Sequence, residues 1–249
     1  MPFRPPHRHG VTPQSRGRFP GFDVLDSVDA WDDVTAGVVL GRLAHPADLA
    51  FFTPHEVSVA APLLDLLLDQ DEEPRVPVLE LLDERLAVGE TDGWHYDDLP
   101  EDGEAWRRTL AWLDDDAAER FDGARFAELD AGRQAALAQD VQTRSSEGQK
   151  WHGVSAERVW SLWTRYACTA FYSHPWAWNE IGFPGPAYPR GYVNVGVGAR
   201  DHWEVADSVD RRPTPFAERV ESARREHAAL VEHHHRAHLR AHHREGGTR

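Results

Sequence analysis

Cysteine is almost absent from this chain of 249 residues, whose only thiol is that of Cys168. A single cysteine cannot form an internal disulfide, and it excludes a cysteine-based zinc site or iron–sulfur cluster built from this chain alone. Because Cys168 stands in the apolar run YACTAF, we expect its thiol to be buried as a small hydrophobic side chain.

Long apolar segments are missing as well. No window approaches eighteen consecutive apolar residues, so the sequence predicts no membrane-spanning helix. The opening stretch MPFRPPHRHGVTPQSRGRF contains basic residues but neither an apolar core nor a small-residue cleavage site, so we expect no signal peptide. The expected location is the cytoplasm or the periphery of a membrane, with export on a partner's signal as the other route.

The motifs of several enzyme classes are also lacking. The sequence contains no G-x-G-x-x-G after a strand, no G-x-x-x-x-G-K-[ST] and no G-x-S-x-G. The short run Gly196-Val197-Gly198 stands near no predicted helix start. An independent flavoenzyme, nucleotide-dependent enzyme or serine hydrolase is therefore not predicted.

Basic charge is concentrated at the two ends of the chain. The net charge is −15, but residues 1–19 and residues 211–249 each carry +4, which leaves −23 on residues 20–210. An acidic body of this kind repels phosphate backbones and anionic lipid, so we expect neither nucleic acid nor direct membrane insertion. A basic surface on another protein is the better candidate partner, and a simply solvated surface is the alternative.

Helical signals dominate the chain. Thr53-Pro54-His55-Glu56 is a capping box that begins one helix, and Ser155 is a candidate N-cap for the longest apolar helix, which runs to His174-Pro175. We expect Pro62 to kink or divide the first of these helices. The only alternating run is Tyr192–Val197, so we predict a mainly α fold, an irregular multi-helix bundle with one short strand at most.

The composition divides the chain into three regions. We predict a flexible basic arm at residues 1–19, a helical domain at residues 20–206, and a linker with a His/Arg-rich tail at residues 207–249. The tail has no apolar stripe, so it is expected to be either a solvent-exposed helix or disordered.

The stretch Phe171–Tyr192, FYSHPWAWNEIGFPGPAYPRGY, organises the rest of the chain. Its prolines predict turns and extended pieces after Ser173, and its aromatic rings form either a recognition surface or a lid over the domain's own core. Polar groups within an aromatic cluster need partners, either internal or on a ligand or subunit. The candidate partner-binding residues are Tyr172, His174, Trp176, Trp178, Asn179, Glu180, Phe183, Tyr188, Arg190 and Tyr192.

The run YSHPWAWNEIGFPGPAYPRGY, together with the upstream FPGFDVLDSVDAWDDVTAGVVLGRL, resembles the gluconate 2-dehydrogenase subunit 3 family. The resemblance implies a small accessory subunit without a cofactor of its own. It implies a large partner subunit that carries FAD and oxidises sugars or sugar acids, and a cytochrome subunit is a further candidate partner. By the same resemblance the chain supports folding, export and assembly and performs no catalysis.

Two alternatives from other classes stay open at this stage. A stand-alone enzyme would use His174 and Glu180, six positions apart, as an acid–base pair. A metal-binding protein would use the tail histidines, whose spacing places four of them on one helix face, as weak candidate ligands: His227, His234, His238 and His242.

Overall fold

The computed structural model describes residues 10–15, 18–19, 22–43, 49–93, 96–194, 196–197, 199–201 and 203–205. The chain forms two compact units, residues 1–189 (unit 1) and residues 190–249 (unit 2). Most of the predicted arm and the whole of the predicted tail lie outside the described residues. The described part is mainly helical, which confirms the predicted fold class.

Seven α-helices lie in the described part of unit 1: α1 (Asp33–Gly41), α2 (Pro54–Leu68), α3 (Val78–Ala87), α4 (Asp102–Arg120), α5 (Ala131–Ser146), α6 (Ala156–Ser173) and α7 (Pro175–Ile181). Short 3-10 turns occur at Pro13–Ser15, Val24–Ala30 and Phe126–Glu128. No helix of the described residues is both long and apolar enough to cross a bilayer.

The core is built around α6, which packs against α2, α3, α4, α5 and α7. Side chains at steps of three and four along α6 turn inward, as the apolar spacing predicts: Val159, Leu162, Trp163, Tyr166, Ala170 and Phe171 are all buried. The indole N–H of Trp163 donates to the hydroxyl of Thr109 at 3.0 Å, so a buried polar atom of α6 is satisfied by α4.

Helix α2 begins at the predicted capping box. The Thr53 hydroxyl accepts from the Glu56 backbone N–H, and the Glu56 carboxylate accepts from the Thr53 backbone N–H. Of the two outcomes expected at Pro62, division of the helix is wrong, since α2 continues through it to Leu68. Leu63 and Leu64, which follow Pro62, are fully buried, and this packing outweighs the one backbone hydrogen bond that proline removes.

The alternating run Tyr192–Val197 contains no strand, since its described residues form no β-structure. Two strands occur elsewhere: β1 (Lys150–Trp151) pairs antiparallel with β2 (Val154–Ser155). The turn between them has positive φ at His152 (47°) and Gly153 (86°), the sign that tight hairpin turns require. Strands of two residues are too short to show alternation in a sequence.

The stretch after Ser173 was predicted to lack helix, and this is also wrong for residues 175–181, which form α7. Pro175 occupies the first helical position, where a missing N–H costs nothing and the fixed φ is already helical. Gly182, with φ of 70°, ends the helix. The remaining prolines of the stretch lie beyond this point, in a non-helical segment.

The expected burial of Cys168 is wrong as well, because its side chain is exposed. On α6 the buried neighbours Tyr166, Ala167 and Ala170 face the core, whereas Cys168 and Thr169 are turned outward. An apolar run on an amphipathic helix includes residues on both faces, so composition alone could not decide the orientation of this thiol.

Candidate partner-binding surface

The junction of α6 and α7 is held by His174. This residue ends α6 and begins α7, and its Nδ1 accepts a hydrogen bond from the Trp176 backbone N–H at 3.2 Å. Its ring also packs edge-on against Trp176, with the centroids 4.9 Å apart. The imidazole is completely buried, so His174 fixes the angle between the two helices and is not exposed to a ligand in solvent.

Asn179 ties α7 to the N-terminal segment. Its Oδ1 accepts from the Val24 backbone N–H at 2.8 Å, and its Nδ2 donates to the Val11 carbonyl oxygen at 2.9 Å and to Asp23 at 3.3 Å. Gly10 lies so close that a Cβ there would be 2.6 Å from the Asn179 amide nitrogen. Residues 10 and 11, which belong to the predicted arm, are thus in contact with α7.

Trp178 is the centre of this region and is itself buried. Its indole N–H donates to the Tyr172 carbonyl oxygen at 2.6 Å. The ring of Phe183 meets it edge-on at 5.4 Å, and the guanidinium of Arg42 lies 5.7 Å from its centroid. Trp178 therefore joins α1, the end of α6 and the segment after α7.

The proline-rich segment folds back onto the chain's own core. The Trp31 indole N–H donates to the Pro186 carbonyl oxygen at 3.0 Å, and Gly185 has φ of 79°. A Cβ on Gly185 would lie 2.5 Å from Trp31 Cζ2, so only glycine allows this approach. Around Gly185 and Pro186, the stretch therefore covers the domain's own core, which is the lid alternative of the sequence analysis.

Three of the candidate partner-binding residues are therefore internal. His174, Trp178 and Asn179 are buried in unit 1 and hold the surrounding backbone. Trp176 and Glu180 are half-buried. The sequence could not distinguish the buried residues of this region from the exposed ones.

Three exposed apolar residues lie close to Trp178 in the chain, and we call them the aromatic patch: Tyr172, Ile181 and Phe183. Tyr172 is 50% exposed, Ile181 49% and Phe183 37%. Ile181 was not among the predicted residues, because an isoleucine among many aromatic rings gives no signal of its own. Tyr188, at 66% exposure, is a further exposed candidate of unit 1.

The last two candidates belong to unit 2. The Arg190 guanidinium lies 4.8 Å from the ring centroid of Trp203, and burial lowers the pKa of Arg190. Tyr192 is exposed, and next to it the buried Asp201 carboxylate accepts from the backbone N–H groups of Val193 and Asn194, both at 3.1 Å. This carboxylate organises the local loop.

The geometry gives no support to the acid–base alternative, because the buried His174 imidazole serves as a helix cap. No group of three or more His, Cys, Asp or Glu side chains is placed for metal binding within the described ranges. The weak metal candidates His227, His234, His238 and His242 all lie beyond them.

Comparison with protein families gives a match to the model described as gluconate 2-dehydrogenase subunit 3, over residues 54–185. This span covers more than half of the chain. The chain belongs to the gluconate 2-dehydrogenase subunit 3 family. The match begins at the first residue of α2 and ends at Gly185, so the family region contains the aromatic patch but neither α1 nor Tyr188. No curated protein and no solved structure matches the chain.

Membership of the gluconate 2-dehydrogenase subunit 3 family makes the chain a relative of one subunit in a larger dehydrogenase. The exposed side chains of Tyr172, Ile181 and Phe183 all lie within the matched region.

Proposed function

We propose that this chain is a non-catalytic accessory subunit that binds and stabilises a large FAD-dependent dehydrogenase of the glucose–methanol–choline type. The partner would carry the flavin and oxidise gluconate or a related sugar or polyol. A cytochrome subunit is a further proposed member of the complex. The proposed location follows that of the partner, in the cytoplasm or at the membrane periphery.

The observation that carries this proposal is the aromatic patch within the family region. Tyr172 and Phe183 are exposed, yet both contact the buried Trp178, one through its carbonyl oxygen and the other through its ring. The backbone beneath the patch is fixed by the His174 cap and by Gly182. A pre-formed apolar surface loses little conformational entropy on binding, which is the property expected of a permanent subunit contact.

The acidic charge of the body is consistent with the same proposal. Residues 20–210 carry −23, and charged side chains of this sign steer a basic protein surface toward the molecule. The patch itself is apolar, so affinity would come from burial at the patch and the rate of encounter from the surrounding charge.

The proposal is tested by capturing the tagged full-length chain from its native host and recording the absorption spectrum of the eluate. We expect a larger protein in a constant molar ratio, with the absorption bands of oxidised flavin. Dehydrogenase activity toward gluconate and related polyols should accompany the larger protein and should be absent from the isolated chain. A colourless chain that elutes alone would contradict the proposal.

A further inference from the structure

A cavity of about 590 Å³ lies between α1, α3 and α6 of unit 1. Its walls include Val38 and Arg42 at the end of α1, Leu82 and Val88 at the end of α3, and Thr169 and Ser173 on α6. We call this cavity the α1 groove. Its volume is within the range of pockets that hold several side chains or a small ligand.

The α1 groove combines exposed aliphatic side chains with charged ones. Val38 and Val88 are both more than half exposed, and Val34, one helical turn before Val38, is also exposed. Single exposed apolar residues are ordinary, but a group of aliphatic side chains around a concave site is typical of a surface that another protein covers.

Arg42 supplies a positive charge to the α1 groove. Its Nη1 donates to the Ser173 carbonyl oxygen at 2.9 Å, and burial lowers the pKa of Arg42. No carboxylate of the described residues lies within ion-pair distance of it. Arg85, in the same cavity, differs in this respect because its Nη2 lies 2.5 Å from Asp92.

A half-buried guanidinium of this kind is best compensated by a carboxylate, which can accept two parallel N–H donors. One donor of Arg42 is already used by Ser173, and the group has five in all. Glu84 and Glu90 also line the groove and would repel a strongly acidic segment. The chemistry therefore favours an occupant with a single carboxylate among apolar residues.

The α1 groove adjoins the aromatic patch. Ser173, which accepts from Arg42, directly follows Tyr172 in α6, and the Arg42 guanidinium lies over the ring of Trp178, around which the patch is built. One partner surface can thus cover both.

We propose that the α1 groove binds a segment of the flavin-containing partner that places apolar side chains against Val38 and Val88 and one carboxylate on Arg42. This inference rests on the proposed function and adds to it a second contact with a defined chemistry, in which Val38 and Arg42 lie before the family region and Val88 lies within it. The patch anchors the partner, and Arg42 selects the segment that enters the groove.

The first test compares affinities for the captured flavoprotein. Arg42→Ala should weaken binding at least tenfold, and Arg42→Lys should retain part of it, because an ammonium keeps the charge but not the paired donors. Gly41→Leu should also weaken binding by filling the groove. Gly41 ends α1, and a Cβ there meets no atom within 4 Å, so this variant should fold even if Arg42→Ala does not.

Matched controls lie on α5, which contributes no residue to the groove or the patch. Arg133→Ala removes an exposed arginine and Ala136→Leu adds an exposed leucine, so both should bind like the wild type. Unchanged affinity for both Arg42→Ala and Gly41→Leu would overturn the inference while leaving the proposed function intact. If the wild-type chain captures no flavoprotein, the proposed function and this inference both fail.

The second test identifies the occupant. A photo-crosslinking amino acid in place of Val38 should label a peptide of the flavoprotein that contains an Asp or Glu between apolar residues. Changing that acid to Arg should abolish binding to the wild type and restore it to Arg42→Glu. A crosslink to residues 206–249 of the same chain, or to a second copy of it, would overturn the inference by assigning the groove to a different occupant.

Discussion

The side-chain oxygen of Asn179 accepts a hydrogen bond from the backbone N–H of Val24 at 2.8 Å, across 155 positions of the chain. The same amide donates to the Val11 carbonyl oxygen. The sequence predicted Asn179 as part of a recognition loop. In the structure its buried side chain instead links α7 to the N-terminal segment by hydrogen bonds. The aromatic patch is presented on a backbone that this amide helps to hold.

Replacing Asn179 should therefore affect stability first. Asn179→Ala leaves the Val24 N–H and the Val11 carbonyl without their partner, and we expect a loss of about 2–4 kcal/mol in the free energy of unfolding. Urea denaturation followed by circular dichroism measures this loss. Gln139→Ala, on the exposed face of α5, should stay within about 0.5 kcal/mol of the wild type. An equally small effect of Asn179→Ala would contradict the structural role.

Replacements of Trp178 and Tyr172 should have different effects, the first on the stability of the fold and the second on partner binding. Trp178 is buried, so Trp178→Ala should cost about 3–5 kcal/mol of stability through the cavity that it leaves. Tyr172 is half exposed, so Tyr172→Ala should leave the melting temperature nearly unchanged and weaken the partner complex. Differential scanning fluorimetry and a binding titration on each variant measure the two effects. If Tyr172→Ala lowered the stability and Trp178→Ala weakened only the partner complex, the patch would have been assigned to the wrong residues.

The fold should lose stability in acid through Glu56. Burial opposes the charged form of this carboxylate, but hydrogen bonds from Thr53 and the ion pair with Arg107 outweigh it, and the net pKa of Glu56 is lowered from its ordinary value of 4.5. The resulting stabilisation is fully present above pH 4.5 and is lost as the pH falls through the lower pKa of the folded state.

Glu56→Gln isolates this contribution. The variant should be less stable than the wild type at neutral pH, and the difference between their melting temperatures should shrink as the pH falls below 4.5. The pKa of Asp140 is also lowered; burial opposes this shift, and the hydrogen bonds and charges of Arg144 and Arg120 outweigh it. The Asp140 carboxyl is present in both the wild type and the variant, so its contribution to the pH dependence cancels in the comparison. A constant difference down to pH 3 would contradict the assignment to Glu56.

The thiol of Cys168 should react in the native protein. Because the side chain is exposed, a thiol reagent such as dithionitrobenzoate should titrate one group per chain without denaturant. Cys168→Ser should abolish the signal and leave the melting temperature almost unchanged. Reaction that occurs only after unfolding would instead support the burial expected from the sequence.

Local patterns carried most of the correct sequence predictions. The capping box at Thr53 and the apolar stripe of α6 are local patterns, because each depends on residues only three or four positions apart. Both are present in the structure. The prolines after Ser173 led to the wrong prediction of a non-helical segment, because proline is favoured at the first position of a helix, where Pro175 lies. The α1 groove could not be predicted, since Arg42, Val88 and Ser173 come together only through tertiary packing.

The measurement that tests the central claim most directly is the affinity of the purified flavoprotein for the wild-type chain and for the double variant Tyr172→Ser/Phe183→Ser. We predict that the variant stays folded, with a melting temperature lowered by the lost packing of Phe183 on Trp178, and binds at least tenfold more weakly, equivalent to about 1.4 kcal/mol or more. The α5 pair Arg133→Ala/Gln139→Ala should bind normally. Unchanged affinity of the patch variant, with the fold intact, would contradict the claim that this surface holds the partner.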